Sequence, residues 1–263
     1  MIVFSAFVPQ SPLLLPEINK TQSQKLDATR GAMDDLGDLL TAADPDTIVL
    51  ISEHPTRYTD TFSLNLSDPF HFDLKEFGHL TYNRTFHPDI LLVDRLQRAL
   101  RKAKQPVTMT TDETLHFASA VPLELLVKEQ KDIRLVPINF CDLPAKNHFQ
   151  FGEALKDILQ ESSRRIAVIA AGDLSHVLSS NGPAGFHPDG KAFDEKIQEC
   201  LLHNNIAGLL TIDQDMIDHA KQTSYLPLVM LMGILQKFPL QTEILSYEAP
   251  FGVGELVVHF SLS

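Results

Sequence analysis

The chain has no tryptophan, only two cysteines in 263 residues, and 22 basic residues against 34 acidic ones. Each scarcity excludes something. Cys141 and Cys200, far apart in sequence, cannot build a disulfide framework, which points to a reducing, cytoplasmic setting. A formal charge of −12 argues against a nucleic-acid partner, because phosphate recognition needs clustered Lys and Arg. No apolar run approaches the roughly 20 residues that cross a bilayer, so no membrane partner is expected. The opening Met1-Ile2-Val3-Phe4-Ser5-Ala6-Phe7-Val8 lacks a basic leader and runs into Pro9, so it reads as a first core strand and not as a signal peptide. There is also no nucleophile elbow, phosphate loop, paired-glycine dinucleotide fingerprint or Cys-x-x-Cys.

What is present is a 44% apolar composition, ample for a packed core, and eleven histidines. Short continuous apolar runs alternate with longer periodic ones, the pattern of an α/β layer fold. Strands are expected at 2–8, 47–52, 107–111, 134–140, 166–170, 241–247 and 255–260. Ile48-Val49-Leu50-Ile51 and Ile166-Ala167-Val168-Ile169-Ala170 show no in/out alternation, so both faces should be buried, as in a parallel sheet covered by helices. The last two strands, joined through 249–254, read as an antiparallel hairpin. Helices are expected at 21–41, 89–104, 145–160, 191–203 and 225–238. The fold class is therefore α/β, with a central mixed, largely parallel sheet flanked by helices on both faces. No linker or composition break divides residues 1–263, so one domain is expected.

Two helix starts share Phe-His-Pro-Asp, at Phe86–Asp89 and Phe186–Asp189. Proline with Asp at a helix start is ordinary capping chemistry, and that is the reading for both. The polar, aromatic stretch 53–86 after the second strand is long for a connection, and such excursions are more often functional than idle.

Ligands of parallel α/β sheets bind beyond the carboxyl ends of the strands. After the strands come Pro9-Gln10-Ser11, Ser52-Glu53-His54, Glu113-Thr114-Leu115-His116 and Gly172-Asp173-Leu174-Ser175-His176. His54, His116 and His176 are thus expected at one sheet edge, where convergent imidazoles can hold a metal or move protons near neutral pH. The alternative is three separate structural histidines. Cys141 also follows a strand, and the plainer reading is a small buried residue.

At these residues the chain resembles the class III extradiol dioxygenase superfamily, which holds LigB-like ring-cleavage enzymes and Memo-like proteins, and is most similar to the bacterial Memo-like branch. The resemblance rests on Pro9-Gln10-Ser11-Pro12-Leu13-Leu14-Leu15-Pro16-Glu17-Ile18, Ile51-Ser52-Glu53-His54-Pro55, Gly172-Asp173-Leu174-Ser175-His176 and Tyr247-Glu248-Ala249-Pro250-Phe251-Gly252-Val253-Gly254. It implies a small catecholic or cyclic substrate, aromatic-compound metabolism and one non-haem Fe(II) held by two histidines and a carboxylate. Carried over, the metal positions fall on Gln10 and His54, with a third ligand near Thr223. The acid/base histidine falls on His176 and a second active-site histidine on His116. Glu248, Asp173 and Glu53 are the carboxylates that could substitute as ligands. Gln10 is a weak amide donor and Thr223 brings no carboxylate, imidazole or thiolate, so the resemblance implies a degenerate metal site. Two functions follow: an Fe(II) ring-cleavage dioxygenase-like oxidoreductase, or a Memo-like non-catalytic, metal-independent protein binding a ligand or a partner. Relatives of this kind commonly associate, so a homodimer is expected.

Overall fold

The computed structural model describes residues 1–127 and 132–262. Its strands are β1 (Ile2–Val8), β2 (Thr47–Ser52), β3 (Phe62–Asn65), β4 (Phe70–Leu74), β5 (His79–Pro88), β6 (Val107–Thr110), β7 (Thr114–Leu115), β8 (Arg134–Asn139), β9 (Ile166–Ala171), β10 (Leu240–Glu248) and β11 (Glu255–Leu262). The helices are α1 (Asp27–Ala43), α2 (Ile90–Lys102), α3 (Phe117–Leu126), α4 (Ala145–Gln160), α5 (Pro188–Leu202), α6 (Ile206–Leu210), α7 (Gln214–Ala220) and α8 (Tyr225–Leu235). The sheet runs β10-β11-β1-β9-β2-β8-β5-β4-β7, with β3 and β6 paired beside β8. Among these, β1, β9, β2 and β8 are mutually parallel, and the β10–β11 hairpin joins β1 antiparallel.

The unalternating apolar runs are explained by two cores, one on each face. In β2, Val49 and Ile51 point into a core built with α2, α4, α5 and α8, while Ile48 and Leu50 point into one built with α1 and α3. In β9, Val168 and Ala170 take the first face and Ala167 and Ile169 the second. A strand with period-2 side chains and both faces covered must be apolar throughout.

Helix α8 is apolar all round because it lies between α4 and the sheet, so it has no polar face to show. It meets α4 at two glycines. A Cβ on Gly152 would lie 2.2 Å from the Met230 carbonyl oxygen, and one on Gly233 would lie 2.3 Å from that of Phe149. The close crossing fixes α8, and with it the residues just before its start.

Several expectations change. The first helix begins at Asp27, after a single 3-10 turn over Ser23–Leu26. Helix α3 was not expected: buried nearly all round, with Pro122 inside, it shows no amphipathic period. The short helices α6 and α7, and strand β5, are likewise additions. The strand expected at 107–111 needs the largest correction. β6 is parallel to β3, which is antiparallel to β8, so β6 runs against the central strands. His116 therefore does not leave the shared carboxyl edge; it arrives through β7 and stands at the N-cap of α3. Among the described residues, no helix is long and apolar enough to cross a membrane.

Candidate functional site

Strand order assembles the first part of the site. β1, β9 and β2 are adjacent, and directly beyond their carboxyl ends stand Gln10, the Gly172-Asp173 pair and Glu53. The Gln10 backbone N–H donates to Asp173 Oδ1 at 2.8 Å. Its side-chain Nε2 donates to Thr223 Oγ1 at 3.2 Å and, at the long limit, to Glu53 Oε2 at 3.4 Å. With a carboxylate on that side, the amide must present its N–H there, so Oε1 faces the other way. Oε1 is buried and has no donor.

Thr223 comes from the segment between α7 and α8 and is tied to Asp173 by three hydrogen bonds, the longest from its Oγ1 to the Asp173 carbonyl at 3.4 Å. Its Oγ1 accepts from the Asp173 N–H at 2.9 Å, and its own N–H donates to the Asp173 carbonyl at 3.1 Å. Gly172 makes this contact fit. A Cβ there would fall 2.6 Å from Ser224 Cα and 2.8 Å from the Thr223 carbonyl oxygen. Gly172→Val should cost about 1–3 kcal/mol by overpacking and should pull Thr223 away from Gln10. Urea denaturation measures the first effect. An unchanged midpoint would mean that the segment gives way freely.

Asp173 is nearly buried and Glu255, the first residue of β11, is buried beside it. Burial pushes Asp173 up to about 6, although the Gln10 and Ser11 N–H groups favour its charged form. Glu255 rises well above the ordinary range, through burial and then the neighbouring Asp173 charge. Glu255 Oε2 has no donor, so burial and the neighbouring carboxylate both favour the protonated form of Glu255.

His176 reaches the same place from the loop after β9, where its N–H donates to the Ala220 carbonyl at 2.9 Å. Its Nε2 is buried without a hydrogen-bond partner, 3.9 Å from Asp173 Oδ2. Burial lowers its pKa against the opposing pull of Glu53, leaving a neutral imidazole at neutral pH.

His54 and His116 form a second group. Both line one open hollow of about 440 Å³ together with Asp112 and Phe117. A buried bond of 2.6 Å between Ser52 Oγ and Ser119 Oγ ties the end of β2 to the first turn of α3, which brings the two histidines together. His54 Nδ1 accepts from the Thr56 N–H at 3.1 Å and Nε2 faces Asp112 Oδ2 at 3.6 Å, so neither nitrogen is turned toward Gln10's partners. Glu248 is committed elsewhere, accepting from the Thr29 N–H and hydroxyl at 2.7 and 2.8 Å.

The residues that sequence reading did not single out are Arg57, Phe140 and Gln222. With Glu53, Thr223 and Leu226 they line a pocket of about 90 Å³. Arg57, Gln222 and Leu226 also line the adjoining hollow of about 520 Å³, a volume suited to a small molecule. Arg57 is held by Asp142 at 2.6 Å and lies over the Phe140 ring. Its position three residues past His54, in the long excursion, was the available signal.

These residues do not suit a three-ligand metal centre. Of two positions that the resemblance gives to metal, Thr223 spends its hydroxyl on Gln10 Nε2 and Asp173, and Gln10 offers only a weakly donating amide oxygen, Oε1. His54 Nδ1 holds the Thr56 N–H, and its Nε2 faces Asp112 at 3.6 Å. Among the described residues, the group of three His, Cys, Asp or Glu side chains close enough to share an ion lies elsewhere, at His187, Asp189 and His219.

Comparisons with known proteins agree with the architecture. The family model described as the catalytic LigB subunit of aromatic ring-opening dioxygenase matches residues 5–258. Protein CA_C1420 of Clostridium acetobutylicum is 26% identical over 256 residues, covering 94% of this chain. This chain spans 55% of that protein's length. The crystal structure of an uncharacterized protein, JW3007 of Escherichia coli K12, superposes with a TM-score of 0.65 at 20% identity, over 98% of this chain and 99% of that one. This second likeness concerns the fold.

Proposed function

Because this chain belongs to the LigB family of catalytic subunits of aromatic ring-opening dioxygenase, we propose that its cleft takes a small hydroxylated ring compound of the catechol class, and that it does so through hydrogen bonds and not through iron. The observation carrying this reading is the bond from Gln10 Nε2 to Thr223 Oγ1, which joins two positions expected to be metal ligands. It leaves Gln10 Oε1 as a buried acceptor without a donor. A ring hydroxyl supplies the missing donor. His176 Nε2, also buried and unpartnered, accepts a second hydroxyl proton as a neutral base. Arg57 at the junction of the two hollows offers a cation to the phenolate so formed.

Calorimetric titration with catechol tests this. Binding should survive exhaustive chelation. It should weaken roughly 5–30-fold in Gln10→Ala, the value of one hydrogen bond in a buried setting. The competing reading is Fe(II)-dependent ring opening, which the family description favours. Oxygen uptake with catechol after anaerobic iron loading, abolished in His54→Ala, would establish that reading and overturn ours.

A further inference from the structure

The two Phe-His-Pro-Asp segments, alike in sequence, do different things. At the first, Asp89 caps α2 as expected, accepting from the Leu92 N–H at 3.0 Å, and is buried against Thr47. At the second, Pro188 opens α5 and Asp189 lies in its first turn as expected, but the side-chain cap is that of His187, whose Nδ1 accepts from the Asp189 N–H at 3.3 Å. Asp189 Oδ2 lies instead 2.7 Å from Nδ1 of His219 and 3.6 Å from Nδ1 of His187. The two imidazoles face each other with ring centres 4.3 Å apart. One nitrogen from each ring and one carboxylate oxygen all lie within 4.8 Å of one another.

Three donor atoms suited to one ion converge here, one nitrogen from each imidazole and one carboxylate oxygen, and to take an ion they would release the Asp189 N–H now held by His187 Nδ1 and the hydrogen bond between His219 Nδ1 and Asp189. We propose that His187, Asp189 and His219 bind one divalent transition-metal ion of the zinc class, on the surface and apart from the cleft. Two imidazoles and a carboxylate are a borderline donor set that suits Zn²⁺ and leaves room for water at the remaining position.

The ion would close a brace around His176. His187 N–H donates to the Val177 carbonyl at 2.9 Å, and His176 N–H donates to the carbonyl of Ala220, the residue after His219. A metal joining His187 to His219 ties the start of α5 to the end of α7, and so holds the loop of His176 and the segment leading to Thr223.

Zinc titration of the whole protein by calorimetry, after chelator treatment, tests the site. One ion per chain is expected, with a raised melting temperature. His219→Ala and Asp189→Asn should each weaken zinc more than the roughly 10–100-fold that groups merely supporting a ligand are worth. Both should abolish the thermal shift, while His54→Ala should leave zinc binding intact and so separate this site from the cleft. Zinc binding that is absent, that is unchanged in both cluster variants, or that is lost in His54→Ala alone overturns the proposal.

Discussion

A Gln10→His, Thr223→Glu double variant should bind Fe(II) at least about 100-fold more tightly than the parent chain, since each change restores a donor stronger than the partners whose loss costs roughly 10–100-fold in known sites. In the parent the amide donates to the hydroxyl, and the hydroxyl also accepts from Asp173 N–H. Substituting both removes that bond and places an imidazole and a carboxylate beyond β1 and before α8. His54 must then exchange Asp112, 3.6 Å from its Nε2, for the metal. The measurement is anaerobic Fe(II) titration in a His219→Ala background, so that the surface cluster contributes nothing. Either single variant should gain far less, because two strong ligands are still missing from the set. Equal iron binding by parent and double variant would show that these two positions do not decide metal affinity.

Asp173→Ala should cost about 1–3 kcal/mol, the penalty of leaving buried donors without their acceptor. It strips the acceptor from the Gln10 N–H and leaves Glu255 buried without its neighbour. The pair also sets a pH dependence. Both carboxyls titrate higher when folded than when unfolded, Asp173 at about 6 and Glu255 higher still. Such groups contribute stability that is complete below the ordinary carboxylate range and is lost as pH rises through the folded values. Glu255→Gln replaces the titrating donor with a permanent N–H. At pH 5 its urea midpoint should match the parent's. At pH 8 it should be more stable by about 1–3 kcal/mol, the cost of one unsatisfied buried group. Other shifted groups, such as His148 at about 4 and Asp194 at about 6, titrate alike in both proteins and cancel in the difference. Parallel pH curves for the two proteins would mean that no proton is held there.

Much of this was legible in the chain. β1, β2 and β9 begin and end within a residue of where the apolar runs placed them, because a strand covered on both faces must be apolar at every position. Helix α4 spans the residues expected of it. His54 and His116 do meet, yet the reason given for it was mistaken: β6 runs the wrong way, and the two are brought together by the Ser52–Ser119 contact between β2 and α3. Glu255 could not have been found. In sequence it is a charged residue opening a hairpin strand, but β11 pairs antiparallel with β1 with Val258 opposite Phe7, and that register carries Glu255 to the level of Gln10. The twin Phe-His-Pro-Asp segments were equally misleading. Identical residues cap one helix through Asp89 and leave Asp189 free for His219, because only the second start has α7 packed beside it.

By itself the sequence determined the layer architecture, the sheet edge at which side chains gather, and the residue types standing there. Periodicity and strand-end position are local properties, so a one-dimensional reading reaches them. Tertiary structure alone decided what those side chains do. Whether Gln10 faces a metal or Thr223, whether Glu255 is solvated or protonated, and whether Asp189 caps a helix or faces two imidazoles depend on neighbours remote in the chain. Charge, hydrogen bonding and burial are set by those neighbours, and strand order and helix packing are what bring them together.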